Sequence, residues 1–227
     1  MAFYKKLLAR LGKGPLRTAV IVAAGSSQRM GQDKLTLPLG GVPVIERTLR
    51  AFEDCAAVDE IILVTREDRL EEMAETAARC GITKLRQVVT GGATRAGSSL
   101  AGVTAASRRA TLIGIHDAAR ALITPEQIAE VYAAAEAHQA AAPVIPLKDT
   151  VKELRDGKLV STPPREGLAA VQTPQVFEAS SFELHSRKRW SRSGRSRMTA
   201  PLSRRSDCRL PPWRAMRKTS RSRRRSM

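Results

Sequence analysis

The chain has 227 residues, 42% of them hydrophobic, with a formal net charge of +17. That length accommodates one α/β domain with a sizeable core. The charge suggests a nucleic-acid binder, but residues 186–227 hold 16 of the 39 Lys/Arg and one of the 22 acids, leaving 23 bases against 21 acids before them. The basic signal therefore belongs to a tail, and a basic nucleic-acid-binding body is excluded. Three cysteines, Cys55, Cys80 and Cys208, have no metal-ligand spacing and point to a reducing, cytoplasmic setting. The apolar run near the N-terminus is too short for a signal peptide, and no stretch approaches a membrane span.

Apolar runs alternate with helix-period segments. TAVIVAA (18–24) reads as a buried strand, 43–52 as a helix, EIILVT (60–65) as a second strand and the charged 67–80 as a helix. A third strand at 85–89 leads through Gly91-Gly92 to a helix near 98–107. TLIGIH (111–116) is a fourth strand. A helix follows, opened by Thr124 as N-cap and Pro125 at the first helical position and running to about residue 138. A fifth strand is expected at 141–145. Segments 148–154 and 158–161, joined by Arg155-Asp156-Gly157, read as a β-hairpin outside the sheet. This alternation predicts a mainly parallel α/β sheet with helices on both faces and its ligand at the carboxyl ends of the strands.

Four segments carry possible chemistry. Strand one ends in AAGSSQRMG (23–31), with Lys34 soon after. Small residues let backbone N–H groups approach phosphates, and Arg29 and Lys34 add the charge a triphosphate needs. The plainer alternative is a Gly/Ser turn with two solvated cations. GGATRAGS (91–98) can hold a base through backbone groups and the Ser98 hydroxyl; alone it reads better as a strand–helix connection capped by Ser98. HDAAR (116–120) puts Asp117 where it can meet Mg²⁺ or a ribose hydroxyl and Arg120 where it can meet phosphate, or the two pair with each other. His116 has no ligand partner at suitable spacing and reads as a packed core residue. Arg165 and QTPQ (172–175) complete the set, a Thr-Pro there ordinarily marking a helix start.

In this order and spacing, AAGSSQRMG…K, GGATRAGS, HDAAR, PLKDTVK and QTPQVF resemble the 2-C-methyl-D-erythritol 4-phosphate cytidylyltransferase family over residues 17–185. The resemblance implies a Rossmann-like nucleotidyltransferase fold that moves CMP from CTP to a polyol phosphate with Mg²⁺ and releases pyrophosphate. It implies that Arg29 and Lys34 stabilise charge at the α-phosphate and that Ala23, Ala24, Gly25, Gly92 and Ser98 surround cytosine. By the same resemblance Asp117, also the candidate metal ligand, and Arg120 lie near ribose and substrate. Arg165 and Thr173 then hold the substrate phosphate, reached across a homodimer by a hairpin arm at 147–163. The chain departs from the family at Leu35, where Gln is usual, at Ala93, where an acid is common, and in its short loop between Arg29 and Lys34. That loop also resembles molybdopterin-type nucleotidyltransferases, against which HDAAR and QTPQ argue. A ribitol-phosphate cytidylyltransferase shares the motifs and is the nearest rival.

Residues 1–16 lie before the resemblance and 186–227 after it. The tail reads as Ser/Arg text without periodicity, not expected to pack as a domain. Either it is a basic arm for nucleic acid, or its reading frame has slipped. RMTAPLSRR (197–205), written in suitable codons and read one nucleotide earlier, becomes DDCAAVEA; MRKTSRSRRR (216–225) becomes AENIKVTTP. Both match segments that the family carries there, in order and in one frame. The slipped frame is the preferred reading, with no nucleic acid or membrane as partner. It predicts that this chain lacks an acidic pair and a lysine of the site, and the extreme case is an inactive fold.

Overall fold

The computed structural model describes residues 15–25 and 33–180. Expectations for 1–14, for Arg29 and its loop, and for 186–227 lie outside the described residues. Two compact units result: one comprises 15–25, 33–142 and 173–180, the other 143–172.

In the first unit the chain runs β1 (Leu16–Val22), α1 (Val44–Glu53), β2 (Glu60–Thr65), α2 (Leu70–Arg79), β3 (Leu85–Thr90), α3 (Arg95–Ala105), β4 (Ala110–Asp117), α4 (Pro125–His138) and β5 (Ala140–Ala141). The second unit holds β6 (Val144–Pro146), β7 (Glu153–Arg155), β8 (Lys158–Ser161) and β9 (Ala169–Val171), and β10 (Gln175–Glu178) returns to the first. The six-stranded sheet has the order β3-β2-β1-β4-β10-β5. β1 is parallel to β2 and β4, and β2 to β3, whereas β10 runs antiparallel to both its neighbours.

Alternation along each strand builds two cores. Ala19, Ile21, Ile61 and Leu63 face Leu49, Phe52, Met73, Ile128 and Tyr132 of α1, α2 and α4. Val20, Ile62, Val64, Ile113 and Ile115 face the side of the sheet where Val103 of α3 packs. The sheet is thus mainly parallel with helices on both faces, as the alternation of runs predicts. A Cβ on Gly102 would come within 2.3 Å of Val20, so α3 lies close enough to set the position of its own N-terminus. In α4 the expected start is realised as a capping box between Thr124 and Gln127, with Pro125 at the first turn.

Three expectations are corrected. The fifth strand splits at Pro143, which has no N–H for a ladder: Ala140–Ala141 joins the main sheet and Val144–Pro146 pairs with β9 in the second unit. Thr173-Pro174 does not start a helix but leads into β10, whose Val176 pairs with Gly114, where the Tyr132 hydroxyl takes the space a Cβ would need. The helix expected from 98 begins at Arg95, and its cap is Thr94, whose Oγ1 accepts from the Gly97 N–H at 3.0 Å. The hairpin has its turn where expected, Asp156 and Gly157 both taking positive φ (51° and 75°) as a two-residue Asp-Gly turn requires. Its first strand is shorter than 148–154; the Lys148 carbonyl instead accepts from Arg165 Nη1 at 2.9 Å.

Candidate active site

The register pairs Val22 with both Val64 and Asp117, and Thr65 with Thr90, so the segments after β1, β3 and β4 leave the same edge of the sheet. There they enclose a cleft of about 520 Å³. Its floor is mostly backbone and methyl groups: 23–25 after β1, 92–94 before α3, and Ala118-Ala119 after β4. Glycine is required at two of these contacts. A Cβ on Gly91 would lie 2.5 Å from Ala24 Cβ and 2.7 Å from Ser98 Oγ, and one on Gly92 2.9 Å from the Gly97 backbone. Such close approach leaves peptide groups exposed to a flat ligand. Ser98 is buried, and its Oγ lies 3.2 Å from the Gly92 carbonyl and 3.0 Å from that of Thr94. Its single proton goes to these carbonyls, leaving lone pairs to accept from a ligand amine.

Lys34 lines the same cleft from a turn fastened on two sides. Asp33 pairs with buried Arg69, which also grips Glu72. Leu35, at the position where Gln is usual in the resembled family, has its side chain in the core, and its carbonyl accepts from the Ile45 N–H at 3.0 Å.

Asp117 closes the far side. Its Oδ1 accepts from Arg95 Nε and Nη2 at 2.9 and 2.7 Å, and its Oδ2 from Arg120 Nε at 3.1 Å. Burial by itself would raise the Asp117 pKa, but the bonds and charge of Arg95, then of Arg120, outweigh it and hold the carboxyl below its ordinary value. Arg95 has no role in the sequence reading, although a signal was available: a cation in the first turn of a helix opposes the helix dipole, a local misfit that Asp117 resolves.

Behind Asp117, His116 is fully buried, its ring 4.9 Å from that of Phe52. Nδ1 lies 3.0 Å from Thr173 Oγ1 and Nε2 3.4 Å from the Arg120 carbonyl, and the Asp117 N–H donates to Thr173 Oγ1 at 3.3 Å. It is the packed, hydrogen-bonded core residue the sequence suggests. Burial pushes its pKa from 6.5 down to about 4. The unfolded chain therefore binds this proton more readily than the folded one. The corresponding stability is fully present above pH 6.5 and is lost as pH falls toward 4, by up to about 3 kcal/mol. Urea unfolding at pH 7 and pH 4.5 should show this loss, and His116→Asn should flatten the slope.

The cleft thus unites Ala23, Ala24, Gly25, Lys34, Gly92, Ser98 and Asp117. Arg120 reaches it through Asp117, and Thr173 is buried behind it rather than lining it. Arg165 belongs to the second unit, on a turn at Arg165–Gly167.

Residues 18–197 match the family model for 2-C-methyl-D-erythritol 4-phosphate cytidylyltransferase (IspD). The chain belongs to this cytidylyltransferase family. A 2-C-methyl-D-erythritol 4-phosphate cytidylyltransferase of Dehalococcoides mccartyi (strain CBDB1) is 42% identical over 163 residues, 71% of each chain. That of Symbiobacterium thermophilum is 42% identical over 166 residues, 71% of this chain and 68% of the relative. Among solved structures, the 4-diphosphocytidyl-2C-methyl-D-erythritol synthase of Anaerococcus prevotii DSM 20548 superposes with a TM-score of 0.70 at 27% identity, covering 81% of this chain and 80% of that one. The cytidylyltransferase match runs beyond His185, where the motif resemblance ends.

Among the described residues no helix is long and apolar enough to cross a membrane, and no group of three or more His, Cys, Asp or Glu side chains could hold a metal ion. Asp117 is the one carboxylate lining the cleft among those residues. A single carboxylate fits Mg²⁺ carried in by phosphates with its own waters, and does not fit a cage built by the protein alone.

Proposed function

We propose that the protein transfers CMP from CTP to 2-C-methyl-D-erythritol 4-phosphate, releasing pyrophosphate, in the non-mevalonate route to isoprenoid precursors. The observation that carries this reading is the cleft itself. A backbone floor suited to a base, a lysine and an arginine-bound aspartate meet at the carboxyl edge of a sheet whose chain matches the cytidylyltransferase family.

The substrate phosphate attacks the α-phosphorus in line, so the protein's work is positioning and charge stabilisation, without a covalent intermediate. Arg29 and Lys34 act on the α-phosphate. Ala23, Ala24, Gly25 and Gly92 offer backbone groups to cytosine, and Ser98 offers its lone pairs to the exocyclic amine. Asp117 and Arg120 serve the ribose and the substrate, Arg165 serves the substrate phosphate, and Thr173, buried behind the cleft, supports them through its bond to the Asp117 amide. Mg²⁺ bound to the triphosphate, with Asp117 as its protein ligand, would neutralise phosphate charge. The setting is the cytoplasm. The test is pyrophosphate release with CTP, Mg²⁺ and methylerythritol phosphate; turnover with ribitol 5-phosphate instead would transfer the reading to the nearest rival.

A homodimer through the hairpin belongs to the same proposal. Leu154 and Leu159 face each other across β7 and β8 with 64% and 68% of their surface exposed, an apolar pair suited to a second copy. Leu154→Lys with Leu159→Lys should shift the protein from dimer to monomer in sedimentation. An unchanged dimer would place the interface elsewhere.

A further inference from the structure

We propose that His116 is a positioning residue: it sets the direction of the Thr173 hydroxyl and thereby holds the Asp117–Arg120 turn at the cleft. The argument is one of donors and acceptors. In this proposal the ring proton sits on Nε2, 3.4 Å from the Arg120 carbonyl, which can only accept. Nδ1 of the neutral ring is then an acceptor, and the hydroxyl 3.0 Å away must give it its single proton. Thr173 Oγ1 is left with lone pairs, one of which takes the Asp117 N–H at 3.3 Å. The chain of bonds runs in one direction, from the Asp117 amide through Thr173 and His116 to the Arg120 carbonyl. It ties the two ends of one turn, itself closed by the Arg120 N–H on the Asp117 carbonyl at 3.0 Å, to the strand segment entering β10.

From the other side the turn is held by the Ala118 N–H on the Val22 carbonyl at 3.0 Å, by Thr48 Oγ1 on the Ala118 carbonyl at 2.7 Å and by Arg95 on the Asp117 carboxylate. His116 therefore governs both Arg120, through its carbonyl, and Asp117, through Thr173. A second consequence concerns Thr173. Its proton is committed to His116, so while this arrangement holds it has none for a phosphate oxygen, which can only accept. Thr173 then acts on the nucleotide side, by fixing the amide of Asp117, rather than by direct donation to a substrate phosphate.

The choice of nucleotide rests on the cytidylyl-transfer reading; the direction of the bonds does not. Two measurements on the full chain keep the two apart. Long-range ¹H–¹⁵N spectra of the imidazole should show a protonated Nε2 and an unprotonated, hydrogen-bonded Nδ1 at pH 7. The opposite tautomer would overturn the proposal. Calorimetric titration with CTP and Mg²⁺ should then show about tenfold weaker binding for His116→Phe, which keeps the packing on Phe52 but has no ring nitrogens. His116→Asn, whose Oδ1 can stand in for Nδ1, should recover most of that loss. Thr173→Val should match His116→Phe, and the double variant should lose no more than either alone. If these variants lower the thermal midpoint while nucleotide affinity stays constant, His116 is a core residue and nothing more. Should His116→Phe not fold, the comparison of His116→Asn with Thr173→Val decides the same point. Failure of the wild-type chain to bind the nucleotide would count against the cytidylyl-transfer reading, and the imidazole spectra would still decide the direction of the bonds.

Discussion

Replacing Lys34 with alanine should lower turnover by about 10²–10³-fold while weakening CTP binding much less. In-line transfer gathers negative charge around the α-phosphorus as pyrophosphate begins to leave. A cation placed there in advance stabilises that state more than the ground state, and the difference appears in kcat. The geometry makes this a clean substitution. The turn is held by Asp33 on Arg69 and by Leu35 in the core, so truncation at Lys34 removes the ammonium and leaves its support in place. Steady-state pyrophosphate release, with CTP affinity measured separately, reads the two effects. The measurement is best made in a chain with the restored C-terminus described next. An unchanged kcat would remove Lys34 from the mechanism.

The second large effect is expected from the far end of the gene. Inserting one nucleotide near the His185 codon should raise cytidylyl transfer by at least about 10²-fold over the chain as written, the scale of restoring one charge-stabilising group. The reasoning is chemical. On the slipped-frame reading, suitable codons after His185 give an acidic pair and, further on, the Asn-Ile-Lys segment in another frame. A substrate-phosphate grip that uses Arg165 loses its lysine partner when that frame is lost. The cleft-lining segments are untouched, since 23–25, Lys34, 92–95, Ser98 and Asp117 all precede residue 186. The chain as written should therefore still bind CTP, weakly, while transferring CMP poorly. Equal activity before and after the insertion would show that residues 186–227 are no defect.

Much of this fold was legible because its signals are local. A buried strand between helices needs an unbroken apolar run, and EIILVT begins and ends where the strand does. Thr124-Pro125 marks a helix start by chemistry confined to four residues, and the structure uses it as such. Arg155-Asp156-Gly157 marked the hairpin turn, because the two central positions need positive φ. The signals failed where partner choice was not local. Nothing in 141–145 tells which half pairs with β10 and which with β9. Nor does QTPQVF alone reveal that it will insert antiparallel beside β4, since that depends on an edge of β4 about 60 residues away in sequence.

The candidate site divides along the same line. The sequence by itself determined which cations, glycines and hydroxyls come after which strands, and hence which family the chain resembles, because each motif is a short strand-to-helix connection. Only the tertiary structure decided how those groups face one another. Arg95 and Asp117 are 22 positions apart, and His116 and Thr173 are 57 apart. The first pair meets because β3 and β4 end on the same edge of one sheet, the second because β10 returns beside β4. Distances of about 3 Å between such groups are products of strand order and register, which no local pattern of residues encodes.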